Sequence, residues 1–401
     1  MKIESDIAEE VLIDKINDIP GGGYHHSGEC DGNLSFWNPG REYKTLMKSV
    51  VKLEREEELF DYRYAFTLQR WNDLQRAFGV PEETIRSGRG YANATTCSSV
   101  SIVLLLQTLE RIGVKTILPV GPYYYSVRGI AEEFGMEFPL AAQPFEEINS
   151  RFSVFDSQLA LWITSPIYGS GEPLAEETKQ ELHRLHDAGA VLVFDESLAL
   201  PGTELCREFP IDDRTFFIYS PHKAIAMNSL KFSAIVCDSD YTDFIDNRQD
   251  VYVGALANSN IEAMRHFLDG NFKSECVPAY LEFVENRYRE FAAVVKKFPF
   301  AHLAEGHSGH YHNIRTDIPL PGRGEYMKML TALYRDTGCI FYPSDAMDFV
   351  RKHSKLVFRV NLLTDRNLSI EGTRKTLQWM GEHHCTPSDL PPLYAERPAR
   401  L

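Results

Sequence analysis

The sequence predicts an α/β protein, a mostly parallel sheet covered by helices, joined to a smaller α+β portion. Three features predict it. Val191-Leu192-Val193-Phe194 and Phe216-Phe217-Ile218-Tyr219 are continuous β-branched and aromatic runs, the pattern of buried strands in a parallel sheet. Helical and strand patterns alternate through the middle of the chain, the order that builds a helix-covered parallel sheet. After Tyr280 the pattern changes to one long helical stretch and shorter, separated strands.

In chain order, Tyr91 to Ser99 is rich in small residues and opens a helix over Ser98 to Arg111. A strand follows at Thr116 to Val120, then a helix from Tyr124 to Phe134 that Gly135 ends. Leu159 to Thr164 reads as strand. Ala175 to Ala188 reads as helix, with acidic residues in its first turn, where they suit the helix dipole. Gly189 stops it, and the strand ending at Asp195 comes next. Phe232 to Cys237 is another apolar strand. Tyr280 to Lys297 is the long helix, followed by strands near Tyr311 to Arg315 and Lys355 to Leu362. Pro387 to Leu401 is rich in Pro and Arg and is expected to hug the surface or fray. The sequence contains no internal repeat or low-complexity linker.

Composition excludes several classes of function. The 401 residues, 43% apolar and 25% charged, match an ordinary soluble protein with a large core. A net charge of −15 disfavours nucleic acid and anionic membranes as partners. The apolar run Ile102-Val103-Leu104-Leu105-Leu106 is far too short to span a bilayer. Met1-Lys2-Ile3-Glu4-Ser5-Asp6 is polar and acidic, unlike a signal peptide. Seven cysteines without a CxxC pair argue for a reducing compartment, so a cytoplasmic location is expected. His307, His310 and His312 have a spacing suggestive of metal ligands, but no HExxH or cysteine partner accompanies them, and no metal is expected. Gly21-Gly22-Gly23 follows no strand and lacks the spacing of a dinucleotide-binding loop.

Ligands of open α/β sheets sit beyond the carboxyl ends of strands. One buried run ends in Asp195 and the other in Ser220-Pro221-His222-Lys223, so a carboxylate and a lysine arrive where chemistry is done. These two groups are the ones pyridoxal 5'-phosphate (PLP) chemistry needs. With them, in order over most of the chain, stand Leu59-Phe60-Asp61-Tyr62, Tyr91 to Ser99, Gly121-Pro122-Tyr123-Tyr124, Ser165-Pro166-Ile167-Tyr168-Gly169-Ser170-Gly171 and Phe358-Arg359-Val360-Asn361-Leu362. This ordered set resembles the fold-type I PLP enzymes, specifically the class I/II aminotransferase superfamily.

The resemblance implies a large PLP-binding domain over residues 41–279, with a mostly parallel sheet of the seven-stranded type. It implies a smaller α+β domain from residues 1–40 and 280–401. Lys223 becomes the Schiff-base lysine and the base for the Cα proton, and Asp195 the partner of the pyridine nitrogen. Glu196 is expected in an outer layer or at the solvent. Ala94, Thr95 and Thr96 fall in the phosphate-binding segment, where the family usually has a glycine near Ala94. Ser220 is the expected phosphate hydroxyl. Lys231, eight residues after Lys223, stands where an arginine is usual, which keeps the charge and loses the bidentate fork. Tyr124 is expected to stack on the cofactor, and Tyr62 to reach the phosphate of a neighbouring subunit in a homodimer. Tyr168 replaces the usual loop asparagine and Leu198 the usual tyrosine, so one donor to the cofactor's 3-hydroxyl oxygen is expected instead of two. Arg359 is expected to grip the substrate α-carboxylate, with Asn361 on the same strand face. His25 falls near the expected substrate mouth.

The expected activity is that of a PLP-dependent aminotransferase of amino-acid metabolism, acting on an α-amino acid. The alternative is a PLP-dependent lyase, cyclase, replacement enzyme or oxidase of a biosynthetic pathway. Intact Asp195, Lys223 and Arg359 argue against a non-catalytic binding module.

Overall fold

The computed structural model describes residues 19, 32, 34–35, 40–50, 75–76, 78–139, 145, 158–168, 171–228, 231–254, 256, 264, 272–303, 309–321, 323–342 and 355–383. Tyr62, His25 and His307 lie outside the described residues. The chain forms two compact units: Met1–Thr45 with Glu282–Leu401, and Leu46–Leu281.

The unit Leu46–Leu281 is built on a sheet of β1 (Gly90–Thr95), β2 (Thr116–Val120), β3 (Leu159–Thr164), β4 (Val191–Glu196), β5 (Thr215–Tyr219) and β6 (Ser233–Asp238). Their spatial order is β1-β6-β5-β4-β3-β2. β2 to β5 run parallel, while β6 is antiparallel to both β5 and β1. Every residue of β3, β4 and β5 is buried, which is why these strands read as continuous apolar runs. Helices α1 (Ser98–Arg111), α2 (Ser126–Glu133) and α3 (Glu176–Asp187) alternate with the strands.

Six strands of the sheet lie among the described residues. Beyond β2 a single parallel bridge joins Thr116 to Glu137, and the Ile117 N–H donates to the Glu137 carbonyl at 2.8 Å. Pro139 follows two residues on and has no N–H to extend a ladder. The small-residue stretch that opens α1 is itself a strand, β1. Gly-Tyr-Ala-Asn-Ala-Thr has weak strand propensity, and pairing with β6 along its whole length decides its conformation. Asn93 is buried there, and its Nδ2 donates to the Ile235 carbonyl at 3.1 Å.

The carboxyl end of the sheet is shaped by its turns. Gly121 leaves β2 with φ of 88°, a left-handed conformation that favours glycine. After β5 the chain enters α4 (Pro221–Ala224), with Pro221 at its first position, where the missing N–H costs nothing. Past β6, α5 (Thr242–Tyr252) packs on α1 and β1.

In the other unit, β7 (Ala301–Leu303), β8 (Tyr311–Pro319) and β9 (Lys355–Asn361) form an antiparallel sheet. α6 (Val277–Val295), whose greater part belongs to this unit, accompanies α7 (Arg323–Thr337) and α8 (Thr373–His383). Their shared core includes Phe291, Met329, Leu330, Phe341, Phe358 and Leu377. His312 packs into it, with its ring centroid 4.8 Å from that of Tyr288. Among the described residues no helix is long and apolar enough to cross a membrane. None of their His, Cys, Asp and Glu side chains form a group of three or more suited to a metal ion.

Candidate active site

Asp195 is the penultimate residue of β4, beside Thr164 of β3 and Ile218 of β5. Strand alternation sends Asp195 and Glu196 to opposite faces. Asp195 is 3% exposed. Its Oδ1 accepts the Ser197 N–H at 3.2 Å and the Ser197 hydroxyl at 2.6 Å. Burial raises the pKa of its carboxyl, while the Ser197 bonds and the charge of Lys223 pull the other way. Among the described residues no group donates to Oδ2.

Lys223 rides on α4, immediately beyond β5. Its Nζ donates to Ser98 Oγ, so the lysine reaches the start of α1. Burial lowers its pKa, Asp195 opposes that, and the neighbouring charge of Lys231 lowers it further. An amine with a lowered pKa is a better nucleophile and base at neutral pH. His222, next in sequence, is buried against Phe232 with ring centroids 4.7 Å apart. Burial and then Lys223 push its pKa down to about 3, so the imidazole is neutral.

The start of α1 presents open backbone amides. Cys97 precedes it in extended conformation, and the first bond of the helix runs from the Ser101 N–H to the Cys97 carbonyl at 3.0 Å. The amides of Ser98, Ser99 and Val100 therefore open the helix without intrahelical acceptors. Ala94 and Thr95 lie within β1, paired with Ala234 and Ser233. Thr96 follows directly, half-buried. The open amides of α1 thus begin at Ser98, two residues after Thr96.

Beneath it runs a chain of buried hydroxyls. Thr95 Oγ1 bonds Ser101 Oγ at 2.7 Å. Ser101 donates to Ser233 at 3.0 Å, and Ser220 donates to Ser233 at 2.7 Å. Ser233 donates to the Tyr219 carbonyl at 2.9 Å. Thr95 and Ser220, both picked out in the sequence, are joined through Ser101 and Ser233, which were not. Sequence reasoning also missed Ser98. The available signal was the spacing Thr95, Ser98, Ser101, three residues apart.

Three aromatic residues follow Gly121-Pro122. Tyr123 is buried, 4.9 Å from the Phe138 ring centroid. Tyr124 instead meets Tyr168 edge-on at 6.2 Å and Tyr125 at 4.7 Å, so the loop ends after β2 and β3 bring two phenols together. Burial, then Tyr125, raises the pKa of Tyr124 and keeps it a neutral phenol. Leu198 is half-buried in the turn after β4. Lys231 is exposed just before β6.

Of its two expected positions, Glu196 is excluded from the solvent. It is 1% exposed, accepts the Leu205 N–H at 2.8 Å and lies near Glu204. Burial raises its pKa well above the usual range. Arg359 lies in the other unit, on β9, with its guanidinium carbon 4.5 Å from the Tyr311 ring centroid. Asn361 is two positions along, and its Oδ1 accepts the Leu363 N–H at 2.9 Å.

No family model and no curated protein matches the chain. Solved structures do. A kynurenine aminotransferase from Pyrococcus horikoshii superposes with a TM-score of 0.68 at 13% identity, covering 96% of each chain. A multiple substrate aminotransferase from Thermococcus profundus gives a TM-score of 0.66 at 14% identity, covering 95% of this chain and 96% of the other. A single mutant of the aspartate aminotransferase from Thermus thermophilus gives 0.64 at 15% identity, covering 95% and 97%. The chain therefore has the fold of the PLP-dependent aminotransferases.

Proposed function

We propose that the protein is a PLP-dependent aminotransferase acting on an α-amino acid. The supporting observation is the convergence of Lys223, Asp195 and the start of α1 at the carboxyl end of one sheet. The donor set suits the cofactor. The Oδ2 of Asp195 accepts nothing from the described residues and fits a protonated ring nitrogen. The open amides of Ser98 to Val100 fit a phosphate, and Lys231 adds a cation nearby.

When bound, PLP supplies an electron sink for a carbanion at the substrate Cα. Lys223 would hold the cofactor through Nζ, and the same nitrogen, as a free amine, would accept the substrate's Cα proton. Asp195 holds the proton on the ring nitrogen. Ser220 reaches a phosphate only by giving up its bond to Ser233, so the α1 amides are the primary cradle. Tyr124 supplies the flat face and Tyr168 a phenol at the rim. Arg359 remains the α-carboxylate ligand that the resemblance implies, and a homodimer is proposed on the same ground.

A second reading, a PLP-dependent lyase or related enzyme, draws on Tyr168 and Leu198, which change the donors expected at the 3-hydroxyl oxygen. One experiment separates the two. Holoenzyme is incubated with single amino acids and no keto acid. Stoichiometric keto acid with no free ammonia supports transamination; ammonia released over many turnovers overturns it in favour of the lyase.

A further inference from the structure

In the antiparallel pair β8–β9, Asn313 stands directly opposite Arg359. The Arg359 N–H turns away from β8 to the Tyr342 carbonyl, and the Asn361 N–H likewise goes to the Leu34 carbonyl. The cross-strand pairs Asn313 with Arg359 and Tyr311 with Asn361 are therefore of the non-hydrogen-bonded kind, in which side chains approach most closely. Tyr311, Asn313, Arg359 and Asn361 share one face of the sheet. The other face carries His312 and Ile314 into the core.

On this polar face Tyr311 lies against the guanidinium, and Asn361 binds its own turn. Asn313 is 8% exposed, yet its Oδ1 accepts no hydrogen bond among the described residues. A buried amide oxygen without a donor is costly and uncommon in a folded chain. A core position there would favour an apolar residue of similar size. The carboxamide instead sits beside the arginine read as the α-carboxylate ligand.

We infer that Asn313 is a specificity-determining residue of the substrate site. With the α-carboxylate on Arg359, Asn313 Oδ1 accepts a hydrogen bond from a hydroxyl or amide N–H on the substrate side chain. The substrate class is then α-amino acids with a hydrogen-bond donor close to Cα, in preference to aliphatic ones of the same shape. A site built around an acceptor discriminates strongly against an analogue that leaves the acceptor unmade. This rests on the aminotransferase reading above.

The test compares holoenzyme with its Asn313→Leu variant on two near-isosteric pairs, L-serine with L-2-aminobutyrate and L-asparagine with L-leucine. The wild type is expected to favour a polar member by about tenfold or more in kcat/KM, and the variant to lose that preference. The variant should melt no lower than the wild type, because leucine fills the space without an unmet oxygen. Asn313→Ala removes the same acceptor and carries the test if the leucine variant does not fold. Turnover without polar preference, or a preference that survives both substitutions, overturns the inference and leaves the aminotransferase reading standing. No turnover of any amino acid overturns both.

Discussion

Lys223 carries the heaviest chemical demand in the molecule. A lysine enclosed at a strand end, with Ser98 on its Nζ and its pKa lowered by burial, is suited to covalent attachment rather than to surface solvation. Purified protein is expected to be yellow, and Lys223→Ala to lose the covalently held chromophore. Borohydride reduction and peptide mapping check this, and an adduct on any other lysine sinks the assignment. Asp195→Ala should retain some cofactor, since the α1 amides are separate from the carboxylate, but lose about a hundredfold or more in turnover. Near wild-type rates would refute the ring-nitrogen role. Tyr168→Phe tests the displaced phenol. A donor to the 3-hydroxyl oxygen favours its ionised form, so losing it should raise the midpoint of the holoenzyme's spectral pH titration by about one unit. An unchanged midpoint would mean that Tyr168 points elsewhere. At this scale the sequence was informative about charge and chemistry and poor on burial. Glu196 was legible as Asp195's neighbour. That it is sealed inside depends on Leu205, nine residues on, which no local pattern reveals.

At the scale of elements, legibility followed locality. β4 and β5 announce themselves because burial on both faces forces unbroken apolar runs. β1 does not, because its conformation is fixed by β6, far away in sequence. The same dependence sets the start of α1: where β1 stops at Thr95 decides where α1 opens at Ser98. α5 was not read at all, and it carries a buried acid. Both oxygens of Asp246 are without hydrogen-bond partners among the described residues. Burial, then Asp250 and Asp243, raises its pKa to about 7. Its folded pKa exceeds the unfolded value of 3.8, so the folded state binds this proton more tightly. The contribution is present at low pH and is lost as pH rises through about 7. Asp246→Asn should flatten the decline in melting temperature between pH 5 and pH 8 and stabilise the protein at the upper end, by on the order of 3 kcal/mol. An identical pH slope in both proteins would remove Asp246 as its source.

For the whole molecule, the division into an α/β unit and a smaller antiparallel unit was readable from the change of pattern after Tyr280. Assembly was not readable from composition, and the homodimer rests on the resemblance through Tyr62. Sedimentation of the active holoenzyme is expected to give twice the chain mass; a fully active monomer would defeat the proposal. One feature of the sheet also sets an order in time. β6 lies between β5 and β1, reversed against both, and Asn93 reaches across to Ile235. A ribosome that has finished Lys223 has therefore made both Asp195 and Lys223. It has not yet made the strand on which β1 is seated, and so has no anchored cradle. The nascent chain must keep β1 waiting through some 142 residues of synthesis, exposed to wrong pairings, before β6 can seat it.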